Sequence, residues 1–173
     1  MLLQWSAPEY MPHSFQVSGL SGTVGHKQTG NCFDLTKQVA DGFVGMQELS
    51  KGLFLVQSEM AFKRETELYE EYPERKVFQL SFCMNGICEW DYRQKQGEHY
   101  QLSPTQCSLQ CGTFSQCVSH FGSEQPYHTL SISLEEGRFS SLTEDLEAAH
   151  LIRRDDKICT HVFSTTPEIR LVL

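Results

Sequence analysis

Apolar and polar residues alternate through most of the middle of the chain. Between positions 76 and 84, Phe78, Leu80, Phe82 and Met84 fall on one side, with Gln79 and Ser81 on the other. That two-residue period is the mark of a strand with unlike faces. Asn85-Gly86 follows, a pair that readily supplies the positive φ angles of a two-residue type I′ turn. Residues 87–92 are therefore predicted as the returning strand of a hairpin. Upstream, 43–49 and 53–62 read as strands, the second rich in aromatic and β-branched residues. A glutamate-rich stretch over 63–75 separates them from the hairpin and reads as a solvated loop or an edge. Downstream come a turn at Lys95-Gln96-Gly97, a strand over 98–102, a Ser103-Pro104 turn, strands at 107–111 and 114–121 around Gly112, and a last strand over 127–134. Turn signals recur about every 8–12 residues, the spacing of a β-sandwich or barrel. The predicted fold is mainly β, a cupin-like or jelly-roll barrel with short C-terminal helices.

The two ends differ from this middle. Residues 1–41 contain Gly19, Gly22, Gly25 and Gly30, which break any helix, and read as an irregular arm with at most a helical turn over 34–39. Near the other end, Ser133 with Glu136 and Ser141 with Glu144 match a helix capping box. Residues 142–152 form a short amphipathic pattern with Leu142, Leu146 and His150 on one stripe. Residues 157–163 suit one more strand. Thr165-Thr166-Pro167-Glu168 then opens a helix, with Thr165 expected as N-cap, Glu168 as its partner and Pro167 in the first turn. The expected division is an arm at 1–41, a barrel at 42–134 and C-terminal helices at 135–173. The sequence stops as an apolar helix begins, so the expectation is a fragment of a longer protein.

Charge narrows the function. The 22 acidic and 14 basic residues leave a formal charge of −8, which phosphate repels, so these residues alone are not expected to bind nucleic acid. No apolar run approaches the roughly 20 residues that cross a bilayer. Positions 1–15 lack Lys and Arg and do not resemble a signal peptide. Seven cysteines without a C-x-x-C pair read as free thiols in a reducing compartment, small side chains filling a core. Glu89 and Asp91, near Cys83 and Cys88 in sequence, are expected to raise their thiol pKa. A metal cupin needs clustered histidines, whereas His99, His120 and His128 are scattered. Neither a nucleophile motif nor a phosphate-cradling glycine loop occurs, so no catalytic residue, metal or cofactor is expected.

Several segments resemble AraC-type transcription regulators: Leu80-Ser81-Phe82-Cys83-Met84-Asn85-Gly86 before the hairpin, and Tyr127 to Leu134 followed by Glu135-Glu136 as the last barrel strand. Thr165 to Leu173 is similar to the start of the helices before the DNA-binding half. The stretch from Leu49-Ser50-Lys51-Gly52-Leu53-Phe54 is similar to the siderophore-responsive subgroup typified by the pyochelin regulator. The resemblance covers roughly residues 42–173. It implies a cytoplasmic, homodimeric regulator whose N-terminal barrel binds a small effector, with promoter DNA held by helix-turn-helix units in a half absent from this chain. Carried over from the arabinose-sensing member, an arginine falls on Cys83, a histidine on His128 and a tryptophan on Leu130. Only the histidine is kept, which argues against a sugar and for a larger, more apolar effector. A ferric siderophore is the first choice, by analogy. Candidate effector contacts are Phe54, Phe82, Cys83, Trp90, Tyr92 and His128, drawn largely from the aromatic set (with Phe78) on strands expected to line the barrel. Plain core packing is the alternative for each. Two other functions remain open: a cupin-fold metal-dependent enzyme, and a thiol-based metal or redox sensor using Cys107, Cys111 and Cys117.

Overall fold

The computed structural model describes residues 2–4, 14–17, 27–29, 32–34, 39–93, 97–135, 142, 144–150 and 158–172. Among the described residues twelve strands pair, all antiparallel, in one hydrogen-bonded network. They are β1 (Leu2–Gln4), β2 (Ser14–Val17), β3 (Lys27–Thr29), β4 (Cys32–Asp34), β5 (Ala40–Ser50), β6 (Leu53–Phe62), β7 (Thr66–Asn85), β8 (Cys88–Tyr92), β9 (His99–Leu102), β10 (Gln106–Phe121), β11 (Tyr127–Glu135) and β12 (Ile158–Ser164). The mainly β expectation is met. The strands over 43–49, 53–62, 87–92, 98–102, 127–134 and 157–163 fall where their patterning put them, with position 157 outside the described residues.

Two long strands organise the rest. β7 has 20 residues and β10 has 16. They pair from Cys107↔Phe82 to Phe121↔Thr66, with one register shift between Phe114 and Gln116. Each has different outer neighbours at its two ends. Near Phe82, β11 flanks β7 and β12 flanks β10. Near Thr66, β2 flanks β7 and β8 flanks β10. The central pair therefore belongs to two sheets. Sheet one runs β3-β4-β5-β6-β11-β7-β10-β12, and sheet two runs β1-β2-β7-β10-β8-β9. Among the described residues no pairing closes the path between its ends, β3 and β9.

The core lies between the sheets. Ala40, Met60, Phe62, Cys83, Tyr127, Ile158 and Val162 from sheet one share a cluster with Leu68, Cys88, Trp90, Tyr92, Tyr100, Leu102, Cys117 and Phe121 from sheet two. A second cluster covers the outer face of sheet one: Phe78, Leu80, Leu109, Cys111, Leu134 and Cys159 pack under Leu142 and Leu146. Residues 142 and 144–148 are helical, and His150 leaves the helix at φ 59°. The predicted helix therefore ends earlier, and its last residues, 151–152, lie outside the described residues.

Several expectations need correcting. The Asn85-Gly86 hairpin does not form: β8 pairs with β9 and β10, and never with β7. Gly86 has φ 76°, but Asn85 is not among the positive-φ residues. The pair instead turns the chain from sheet one into sheet two, where Gly86 lies against the backbone of Pro126 and Tyr127 and a Cβ would sit 2.7 Å from the Pro126 carbonyl oxygen. The glutamate-rich stretch is strand from Thr66 onward, because Thr66 and Leu68 are buried inward on alternate positions. The segments 107–111 and 114–121 are one strand, β10. The irregular arm contributes β1 to β4, and the helical turn expected over 34–39 has Asp34 in β4 and 35–38 outside the described residues. The last helix, Pro167–Val172, is capped by Thr166, whose hydroxyl accepts from Ile169 N at 3.4 Å. Thr165, expected in that role, donates its amide and hydroxyl to the Thr105 carbonyl instead, each at 2.8 Å.

Candidate functional site

The inner surface of sheet two is aromatic. β8 alternates buried and half-buried positions, turning Cys88, Trp90 and Tyr92 inward and Glu89 and Asp91 outward. Tyr100 of β9, opposite Trp90, stacks on it at 5.6 Å and meets Tyr92 edge-on at 5.7 Å. Burial first of all holds the Tyr92 hydroxyl far above its ordinary pKa.

The facing surface of sheet one is polar. Residues opposite each other in a ladder share a face. One row therefore reads Met46, Val56, Ser131, Ser81, Ser108, Val162, and the next reads Glu48, Phe54, Ser133, Gln79, Gln110, Thr160. Ser81, Ser108, Ser131 and Ser133 are all buried. Ser131 donates to Ser81 at 2.8 Å, Gln79 donates its amide to Ser81 at 3.0 Å, and Ser133 donates to the Gln79 carbonyl at 3.2 Å. Among the described residues, three buried side-chain polar atoms make no hydrogen bond of good geometry: Ser108 Oγ, Thr160 Oγ1 and Trp90 Nε1. The Tyr92 hydroxyl lies within reach of both Trp90 and Thr160, and the Tyr100 hydroxyl within reach of Thr160.

An orphaned hydroxyl at a fully buried position costs stability, because desolvation is uncompensated. Ser108→Ala is accordingly expected to raise unfolding stability by about 1 kcal/mol, or Tm by roughly 2–4 °C for a chain of this size. Urea unfolding of the two proteins side by side checks this. A lower midpoint in the variant would mean the hydroxyl is satisfied.

The candidates read from the sequence split into two groups. Phe54, Cys83, Trp90 and Tyr92 lie on inner faces. Phe82 lies on the outer face of sheet one, as does Phe78, because Phe82 pairs with Cys107 and Leu130 on the face that carries Leu80 and Leu109. His128 is on that outer face too, with its ring 3.5 Å from the Gln57 amide. The alternation of β7 is real, but its polar side faces the core, since a helix covers the other side. Burial pushes the Cys83 thiol up to about 11. That is the expected direction, but the cause is not Glu89 or Asp91, which point away. Cys83, Cys88, Cys107, Cys111, Cys117 and Cys159 are all buried thiols.

Sequence reading missed the polar panel of Ser81, Ser108, Ser131, Gln79 and Thr160. Its signal was present: Thr129, Ser131 and Ser133 alternate with Leu130, Ile132 and Leu134 in β11. It also missed a network on the outer face of sheet two. There His99 meets Asp91 at 3.0 Å and Glu89 at 3.7 Å, while His120 meets Asp91 at 3.2 Å and Glu67 at 3.6 Å. Asp91 lies between the two rings and joins them by hydrogen bonds. Among the described residues no three such groups are arranged to hold a metal ion.

Residues 41–173 match the family described as the regulatory protein PchR N-terminal domain. No curated protein matches the sequence. Among solved structures, the AraC-like transcriptional activator CuxR shows 9% identity and a TM-score of 0.48 over 78% of this chain. The bacterial pirin YhhW from Escherichia coli, solved with nickel(II), shows 10% identity and 0.46 over 83%. The Cupin_2 domain of an XRE family transcriptional regulator from Enterobacter cloacae shows 17% identity and 0.39 over 53%. The chain covers 44% of the activator, 55% of the pirin and 93% of the Cupin_2 domain.

Proposed function

This chain belongs to the family of the regulatory protein PchR N-terminal domain, and from that premise we propose that it is the effector-binding and dimerising part of an AraC-type transcription regulator. The observation that supports an effector site is the set of orphaned polar atoms between the two sheets. An interior that serves only as scaffold fills with apolar side chains, since each unpaired polar group costs stability. Groups kept there at a cost have a use when a ligand pairs with them.

The small-molecule effector sits between the sheets, against Phe54, Cys83, Trp90 and Tyr92. The family relation makes a ferric siderophore the first class to try. Residues 42–134 supply the effector unit. Residues 135–173 carry the homodimer contact, consistent with Leu171 and Val172, 86% and 83% exposed on the last helix. Promoter DNA is bound by a separate part of the regulator, because the −8 charge of this part is repelled by phosphate. The domain has no catalytic step of its own and works in the cytoplasm. No described helix is long and apolar enough to cross a membrane.

The test is a thermal-shift screen against ferric siderophores, sugars and divalent metals, with metal analysis of the purified protein. A ligand that binds only the native state adds about 2.7 kcal/mol at a hundredfold excess over Kd. A rise in Tm with one organic ligand or chelate, in metal-free protein, is the expected result. Stoichiometric bound metal with no response to any organic ligand or chelate would overturn the sensor reading in favour of a metal-dependent cupin.

A further inference from the structure

Among the described residues, the two inner rows of sheet one carry a single charged side chain, Glu48, and it is exposed at the row's end. Every other polar group in them is neutral: four serines, two glutamines and a threonine. The inward side chains of sheet two whose burial is described are uncharged: Leu68, Cys88, Trp90, Tyr92, Tyr100, Leu102, Cys117 and Phe121, while Glu70 takes the register position opposite Cys117. An anion enclosed beside these side chains would lose its hydration and meet no positive charge among them, which is costly. A neutral molecule bearing hydroxyl or amide groups loses less and finds partners of both kinds. Serine and threonine hydroxyls donate and accept, whereas Trp90 Nε1 only donates. The stacked Trp90 and Tyr100 rings add a flat apolar plate beside these groups.

We infer that the effector presents an uncharged, hydroxyl- or amide-rich face to Ser81, Ser108 and Thr160 and lays a ring or other flat apolar part against Trp90 and Tyr100. This rests on the sensor reading above and deepens it. It departs from the larger, more apolar effector that position-by-position transfer of sugar contacts suggested. Hydrogen-bond donors and a stacking ring are both present, at positions that transfer does not reach. Within the siderophore class it admits only chelates whose inward face is neutral.

The test uses two probes that share a ring and differ in charge: phenyl β-D-glucoside, neutral and rich in hydroxyls, and phenyl phosphate, an anion. The chain has two tryptophans, so a Trp5→Phe background leaves Trp90 as the only reporter. The glucoside is expected to change Trp90 fluorescence saturably, and phenyl phosphate is expected not to at equal concentration. Ser81→Ala and Thr160→Val should each weaken glucoside binding about three- to tenfold, the loss of one neutral hydrogen bond. Circular dichroism and the urea midpoint show whether each variant is folded. Phenyl phosphate binding as tightly as the glucoside overturns the inference, as does binding of neither probe or indifference to both substitutions in folded protein. A ferric chelate that raises Tm equally in wild type and in Ser81→Ala and Thr160→Val overturns only this inference and leaves the sensor reading standing. Failure of every ligand class in the thermal-shift screen removes the sensor reading itself.

Discussion

Gly42→Ala is expected to cost about 3 kcal/mol or more and to leave much of the protein unfolded at modest urea concentrations. Gly42 sits in β5 opposite Met60, at φ 134°. That backbone conformation is open to glycine and strained for any residue with a side chain. Space forbids one as well: a Cβ would lie 2.0 Å from the Glu59 carbonyl oxygen and 2.9 Å from Met60 Cα. Both contacts are backbone, so no side chain can swing aside. The β5–β6 ladder must part, and with it the packing of Ala40 and Met60 in the inner cluster. Gly97 is the control. It also has positive φ, at 86°, yet a Cβ there meets nothing within 4 Å. Gly97→Ala should cost only about 1 kcal/mol, from strain alone. Urea midpoints of the two variants measure the difference. Equal, small losses at both sites would show that β5 does not approach β6 as described.

Trp90→Ala should lower stability by about 3–5 kcal/mol. Trp90 is 5% exposed, stacks on Tyr100, and joins both sheets through the inner cluster. Its truncation leaves a large cavity in a region held by cross-sheet contacts. Trp90→Phe keeps a ring in the stack and removes the orphaned N–H. Its stability should stay within roughly 1.5 kcal/mol of wild type, because lost volume and relieved desolvation oppose each other. The pair thus separates a packing role from a ligand role. If Trp90 also contacts the effector, Trp90→Phe remains folded but responds more weakly in a thermal-shift titration. An unchanged response would confine Trp90 to packing.

The legibility of the chain varies by element. The β6 strand is read to the residue, because Gly52 starts it and its aromatic and β-branched content marks its length. The β11 strand is read almost as well. The hairpin at Asn85-Gly86 failed although its local signal was the strongest in the chain. A two-residue turn records what the backbone tolerates, whereas pairing records what lies nearby. Here the far end of β10, paired from Tyr92↔Cys117 to Cys88↔Phe121 and so 25 to 33 residues downstream, supplies the neighbour of β8. Likewise, the Lys63–Arg75 stretch looked solvated because charge density was read in place of period. Thr66 and Leu68 carried the period.

The candidate site was half legible. The inward placement of Trp90, Tyr92, Phe54 and Cys83 was legible because large or thiol side chains on strands signal burial. Phe82 and His128 were misplaced, and Ser81, Ser108 and Thr160 were overlooked, for one reason. Alternation with a period of two states that a strand has two unlike faces, and nothing more. In a sheet with one face in water, the apolar side is the inner side. Sheet one has a cover on each face, with sheet two on one side and the 144–148 helix on the other. By itself the sequence determined the β class, most strand positions, the acid balance and the scarcity of catalytic motifs, because these follow from local spacing and composition. Only the tertiary structure decided which face of β7 and β11 looks inward. That choice depends on what packs against the sheet from distant parts of the chain, and it turns a row of serines into the candidate site.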